Sequence, residues 1–254
     1  MQHKGRHALV TGGGTGIGLA IARLLATEGA EVTITGRRAD VLDQAATGVP
    51  GLHPLACDVT EDAEFRLALR SAANARGPVS ICIANAGIAE GQPFSQMTLD
   101  QWRKTLSINL DGAFTTFQAA LSTLEPDSWG RMIAISSIAG VRGLRGAVHY
   151  TASKHGMIGL IRGLSEEYLR TPITFNAVCP GYVDTDIVAR QAPQIAKRMG
   201  ISEDEARAYL AKGNRNRILL DSDEVAETVG WLCSDGARNV NGQTIQIAGG
   251  QIAG

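Results

Sequence analysis

The sequence predicts an α/β fold: one domain over residues 1–254, built as a doubly wound, mostly parallel, seven-stranded sheet with helices on both faces. Three observations predict it. Seven short β-branched or apolar runs alternate with longer helical patterns along the whole chain. The first run opens directly into a glycine-rich turn and then a helix pattern. The chain also has 254 residues, 44% of them apolar and only 5% aromatic, enough to bury a full core in one large domain.

The elements follow in order. HALV (7–10) is the first strand, and the pattern LAIARLLATEG after its turn gives a helix over about 17–28. EVTIT (31–35) is followed by a helix at 39–46, LHPLAC (52–57) by one at 61–76, and VSICIA (79–84) by one at 98–123. That last helix begins TLDQW, where Thr98 and Gln101 have the spacing of a capping box. RMIAIS (131–136) precedes a helix at 150–169, TFNAVC (174–179) precedes one at 222–233, and QTIQIA (243–248) closes the sheet. The rhythm breaks only at 182–217, where an insertion carries helical patterns of its own. Ligands of open α/β sheets bind beyond the carboxyl ends of the strands, so an insertion after the sixth strand lies where a substrate lid would sit.

Charge excludes some partners. With 24 basic and 25 acidic residues and no run of either sign, neither nucleic acid nor a membrane surface is expected to be the main partner. Cys57, Cys82, Cys179 and Cys233 lack the short paired spacing of a zinc site or disulfide framework, no metal is called for, and three of them sit in apolar runs as small core residues. The N-terminus enters a strand pattern without an apolar signal region, and no apolar run nears the ~18 residues of a membrane span. A cytoplasmic setting is expected.

Two stretches carry chemistry. In TGGGTGIG (11–18), the glycines let the backbone approach a pyrophosphate, and the following helix supplies free N–H groups and a favourable dipole. In HYTASKHG (149–156), Tyr150 and Lys154 stand four apart, on one helix face and about 6 Å from each other. On its own that pair also fits a core aromatic beside a solvated lysine.

The glycine spacing, Gly12, Gly16 and Gly18, is not the usual G-x-G-x-x-G, and it resembles the TGxxxGxG turn of the short-chain dehydrogenase/reductase family, whose members have a Rossmann fold. Other segments agree in order. Asn85-Ala86-Gly87 resembles the segment lying against the adenosine ribose, Asp58 the adenine-contacting aspartate, and Asn109 in SINLDG the catalytic asparagine. Ser137 stands thirteen residues before Tyr150, as the family's serine does. PGYVDT offers Pro180, Gly181, Val183 and Thr185 in the segment that holds the nicotinamide carboxamide, and Thr15 and Ile17 fall within the cofactor turn. The resemblance spans about residues 6 to 250.

It implies an enzyme acting on CH–OH groups with Asn109, Ser137, Tyr150 and Lys154 as its catalytic set. Tyr150 would be the general acid in reduction, its phenol eased toward ionisation by the Lys154 ammonium and the nicotinamide. Ser137 would orient the carbonyl, Lys154 would also bind the nicotinamide ribose, and Asn109 would hold a relay water. Where NAD-preferring relatives place an acidic residue after the second strand, this chain has Gly36 and then Arg37, which suits a 2′-phosphate. NADP(H) is therefore favoured, with NAD(H) open.

The segment 182–217 and VAETVGWLCSD resemble the lid region of 3-hydroxybutyrate dehydrogenases and 3-oxoacyl reductases. The positions that would bind a short carboxylate there are matched by Ala89, Ala139, Ala147 and Ala189, and four alanines cannot compensate a buried charge. A neutral 3-oxo substrate such as a 3-oxoacyl thioester is expected, with Arg142, Arg145 or Arg190 at the rim for a carrier phosphate. An NAD-dependent dehydrogenase of a short 3-hydroxy acid, a non-catalytic nucleotide sensor, and a dehydratase or epimerase are the other readings. A homotetramer is also implied, with helices 98–123 and 150–169 on its interfaces and GGQIAG at another.

Overall fold

The computed structural model describes residues 2–125 and 127–250. Its elements are β1 (His7–Thr11), α1 (Gly16–Thr27), β2 (Glu31–Gly36), α2 (Ala39–Ala46), β3 (Leu52–Ala56), α3 (Asp62–Arg76), β4 (Val79–Ala84), α4 (Leu99–Leu106), α5 (Gly112–Leu121), β5 (Gly130–Ile135), α6 (Val148–Glu167), β6 (Ile173–Pro180), α7 (Asp186–Met199), α8 (Glu203–Ala211), α9 (Ser222–Cys233) and β7 (Thr244–Ile247). The seven strands pair in parallel in the order β3-β2-β1-β4-β5-β6-β7. The order reverses between β1 and β4, which opens a crevice at the strands' carboxyl ends.

Both faces are buried because alternate strand residues feed two separate cores. In β1, Ala8 and Val10 join one core with Ile21 and Leu25 of α1 and Val229 of α9. Leu9 joins the other, with Phe65 of α3, Phe117 of α5 and Ile161 of α6. Apolar side chains on both faces are what a central parallel strand requires.

The helix expected over 98–123 is not one α-helix. It starts on the anticipated capping box, with Thr98 Oγ1 accepting from the Gln101 N–H at 3.2 Å and Gln101 Oε1 from the Thr98 N–H at 2.9 Å. It then widens into a π turn at Ser107–Asp111 before continuing as α5. The wide turn accommodates an extra residue and carries Asn109.

The 182–217 segment folds as α7 and α8 around a small core of Val188, Ala192, Ala196, Ala206 and Leu210. Its two ends are tied together: Val183 bridges Leu220, and the buried Asn214 side chain bonds Tyr182 N, Tyr182 O and Ile218 O at 2.7–2.8 Å. Of the C-terminal GGQIAG, residues 251–254 lie outside the described residues.

Candidate active site

The glycine turn is built by β1 and the end of β4 together. Thr11 Oγ1 accepts from the N–H groups of Asn85 and Ala86 at 3.0 and 3.1 Å, and Asn85 Nδ2 donates to the carbonyls of Thr11 and Gly12 at 2.9 and 3.3 Å. Gly12 and Gly16 have φ of +65° and +52°, the left-handed region that glycine adopts without strain. A Cβ on Gly18 would run into the Gly12 carbonyl, so the turn can be this tight only with hydrogen there.

A cleft of about 440 Å³ lies over this turn, lined by Gly12, Thr15, Gly16, Ile17, Gly18, Arg37, Asp58, Asn85, Gly87 and Thr185 among others. Thr15 precedes α1 in an extended conformation with its hydroxyl making no cap bond, which leaves it free toward the cleft. Asp58 Oδ1 accepts from Thr60 N and Oγ1 at 3.0 and 2.8 Å. Arg37 and Arg38 are both exposed, both line the cleft, and neither has a partner among the described residues.

A second lobe of about 260 Å³ shares Ile17, Ala89, Glu90 and Thr185 with the first. Ser137, Tyr150, Pro180, Gly181 and Val183 line it. Asn109 and Lys154 line neither lobe; they stand behind Gly87, where an added Cβ would lie 3.1 Å from Asn109 Oδ1 and 3.7 Å from Lys154 Nζ. The structure thus brings the four residues together in two layers.

Lys154 is 4% exposed, and its ammonium donates to the Ile135 carbonyl at 2.8 Å and to Met157 Sδ at 3.4 Å. Burial with so few acceptors pulls its pKa down to about 8. In the free protein burial raises the Tyr150 pKa and the Ser137 hydroxyl opposes the rise, whereas the easing expected from the sequence counted on the nicotinamide as well as on Lys154. Withdrawal of the phenol from water disfavours its ionised form, and the Cys179 and Tyr182 side chains add to the rise. Ser137 Oγ itself accepts from Ala139 N at 3.1 Å at the mouth of a short 3-10 turn.

Asn109 is fully buried, and its amide is already engaged. Oδ1 accepts from Ile88 N at 2.8 Å, while Nδ2 donates to Ile88 O and Ser153 Oγ, both at 3.0 Å. Three supporting residues were not singled out from the sequence: Ser153, Met157 and Ser136, whose hydroxyl donates to Lys154 O at 3.1 Å. Ser153 and Ser136 adjoin Lys154 and Ser137, so adjacency was the available signal.

The expected substrate contacts divide. Ala89 and Ala147 line the second lobe, whereas Ala139 is fully buried and Ala189 is exposed away from it. Arg145 lines that lobe, Arg190 lines the larger one, and Arg142 lines neither. Gln191, with Nε2 3.4 Å from Ala89 O, also reaches the second lobe.

A parallel sheet with a glycine turn at its switch point, opening onto a Tyr150–Lys154 helix face, defines a dinucleotide-dependent oxidoreductase. The model of the short chain dehydrogenases matches residues 6–196, and the chain belongs to that family. It is an oxidoreductase of the kind that acts on CH–OH and keto groups. A D-beta-hydroxybutyrate dehydrogenase of Rhizobium meliloti is 31% identical, with 97% of this chain and 98% of the relative covered. The 3-oxoacyl-(acyl-carrier-protein) reductase MabA of Mycobacterium bovis is 34% identical, with 98% and 94% covered. Among solved structures, an actinorhodin polyketide ketoreductase with NADPH superposes with a TM-score of 0.93 at 32% identity, covering 99% of this chain and 98% of that one.

Proposed function

We propose that this chain interconverts a ketone and a secondary alcohol with NADP(H), and that its substrate is a neutral 3-oxo compound such as a 3-oxoacyl thioester. One observation carries the reading: the lobe over the glycine turn and the lobe lined by Ser137 and Tyr150 share Ile17, Ala89, Glu90 and Thr185 as common walls, so a dinucleotide in the first would stand beside a carbonyl in the second. The residues fit the cofactor, since the turn excludes any Cβ at Gly18, the Thr15 hydroxyl is free, and Arg37 is uncompensated. An arginine with no carboxylate partner suits a 2′-phosphate, and the solved ketoreductase is an NADPH complex.

When bound, the nicotinamide supplies or accepts the hydride. Tyr150 holds the proton that the carbonyl oxygen takes up in reduction, and its raised pKa keeps the phenol protonated at neutral pH. Ser137 Oγ, on the same wall, orients that oxygen. Lys154 holds its proton behind Gly87 and would donate to the ribose of a bound nicotinamide. The side chain of Asn109 is committed to Ile88 and Ser153, so a relay water would be met by its backbone carbonyl. The π turn at that residue is a place where the helical bonding pattern shifts.

A homotetramer belongs to the same reading. Leu99 of α4, Phe114 of α5 and Val148 of α6 are 58%, 48% and 39% exposed, an apolar surface suited to packing on a second copy. So does a cytoplasmic setting: all four cysteines are free thiols, and no helix among the described residues is long and apolar enough to cross a membrane.

Arg145 and Gln191 in the second lobe favour one other reading, an NAD-dependent dehydrogenase of a short 3-hydroxy acid, because together they could hold a carboxylate. Initial rates at the nicotinamide absorbance band separate the two. The thioester reading expects kcat/KM for acetoacetyl and longer 3-oxoacyl thioesters with NADPH to exceed that for acetoacetate with either cofactor. A preference for acetoacetate with NADH would replace it.

A further inference from the structure

We propose that Arg190 is a cofactor clamp: a guanidinium on α7 that closes onto the pyrophosphate of the bound dinucleotide. The inference rests on the dinucleotide reading above and adds a binding residue outside the glycine turn. From the sequence, Arg190 belongs with the arginines at the substrate rim. In the structure it lines the cleft over the glycine turn, beside Asp186, and not the lobe lined by Ser137 and Tyr150.

The root of α7 explains that placement. Thr185, which precedes its first turn, puts its Cγ2 methyl 3.2 Å from where a Cβ on Gly16 would be, so α7 starts against the glycine turn. Arg190 is four residues beyond Asp186, one turn further along the same helix face. α7 follows β6, on the opposite side of β1 from β2 and its Arg37. Arg190 therefore approaches from the nicotinamide side, whereas Arg37 stands on the adenosine side.

Charge gives the clamp a task. Asp186 and Glu90 both line this cleft, and each opposes an incoming pyrophosphate. The α1 N-terminus offsets part of that repulsion. Glu90 is paired with Lys104 at 2.9 Å, which leaves Asp186 as the carboxylate to be balanced from α7. Arg190 is free to do so, with no hydrogen bond or ion pair among the described residues, whereas Arg207 of α8 is held by both Asp184 carboxylate oxygens at 2.6 Å. A planar guanidinium can take two phosphate oxygens at once.

Fluorescence titration of NADPH and of NADH, without substrate, into wild type, Arg190→Ala, Arg190→Lys and Arg37→Ala tests this. Arg190 is exposed, so its variants keep the fold. Arg190→Ala should weaken both cofactors by the same factor, roughly tenfold, as for a charge-assisted contact partly open to water. Arg190→Lys should recover part of the loss, and added salt should narrow the gap. Arg37→Ala should weaken NADPH alone. The clamp is overturned if Arg190→Ala leaves both dissociation constants within about twofold of wild type, or if it weakens only one of the two cofactors. A wild-type protein that binds neither cofactor would remove the dinucleotide reading, and the clamp with it.

Discussion

The Lys154 ammonium lies 5.7 Å from the centre of the Tyr150 ring, and the groups that hold it are the Ile135 carbonyl and the Met157 thioether. The two residues of the helix pair therefore act on each other through space rather than through a direct hydrogen bond. The titratable groups acting on this pair are Tyr182 and the buried Cys179 thiol of β6, whose own pKa is raised by burial.

The first prediction concerns pH. Burial lowers the Lys154 pKa to about 8 in the free protein, and kcat/KM for NADPH reports groups of that free enzyme. Reduction should hold steady below that pH and fall as pH rises through about 8. NMR of the Lys154 Cε resonance provides the direct check: an ammonium that stays charged to pH 10 would contradict the assignment.

Tyr150→Phe should abolish turnover and leave cofactor affinity nearly intact, because it removes the transferable proton and keeps the ring. General acid–base groups contribute about 10²–10⁴-fold, so a variant retaining more than roughly a tenth of the wild-type rate would sink the role given to Tyr150.

Arg37→Ala should cost NADPH roughly 10- to 150-fold in affinity, the range of a charge-assisted contact, and NADH little. Calorimetric titration of both cofactors decides it, and equal losses would show that Arg37 does not read the 2′-phosphate.

Acid should destabilise the fold through His7. Buried between the sheet and Gly77, its Nδ1 is 2.7 Å from Gly77 O, so Nδ1 carries the proton. Nε2 then accepts from the Thr33 hydroxyl at 2.8 Å, whose oxygen in turn accepts from Arg76 at 3.2 Å. Burial lowers the His7 pKa below its ordinary value near 6.5, so the unfolded chain takes up the proton first. Stability from this group is complete above about pH 6.5 and is lost as pH falls below it. His3 and His149, also lowered by burial, act in the same direction. Melting temperature against pH should therefore fall on the acid side, and less steeply in His7→Gln; identical slopes would clear His7.

The strands and most helices were legible because the apolar periodicity of each segment reports its buried faces. That Tyr150 and Lys154 share one helix face was legible as spacing, whereas Ser137 was picked out only by its likeness to the family's serine. What stayed hidden depends on rotation and depth. Nothing in 98–123 marks where the turn widens, since one extra residue disappears in an averaged pattern. Arg190 reads like any other charge on an amphipathic helix until the helix is set against the glycine turn. The sequence shows Lys154 as a neighbour of the Tyr150 phenol but not how far the lysine is withdrawn from water. Ala89, Ala139, Ala147 and Ala189 were likewise expected to face one space, and the fold turns Ala139 and Ala189 elsewhere.

The π turn at Ser107–Asp111 separates the site from the scaffold that carries it. Wound as ordinary α-helix, the same residues would turn everything downstream by about 100°, swinging Phe117 of α5 out of its core. Deleting one residue inside the turn would restore a regular helix with α4 and α5 still facing as they do now, but Asn109 would lose its clasp on Ile88. In that sense the chain carries one residue that its architecture does not need, and what that residue supplies is the hold of the Asn109 side chain on Ile88.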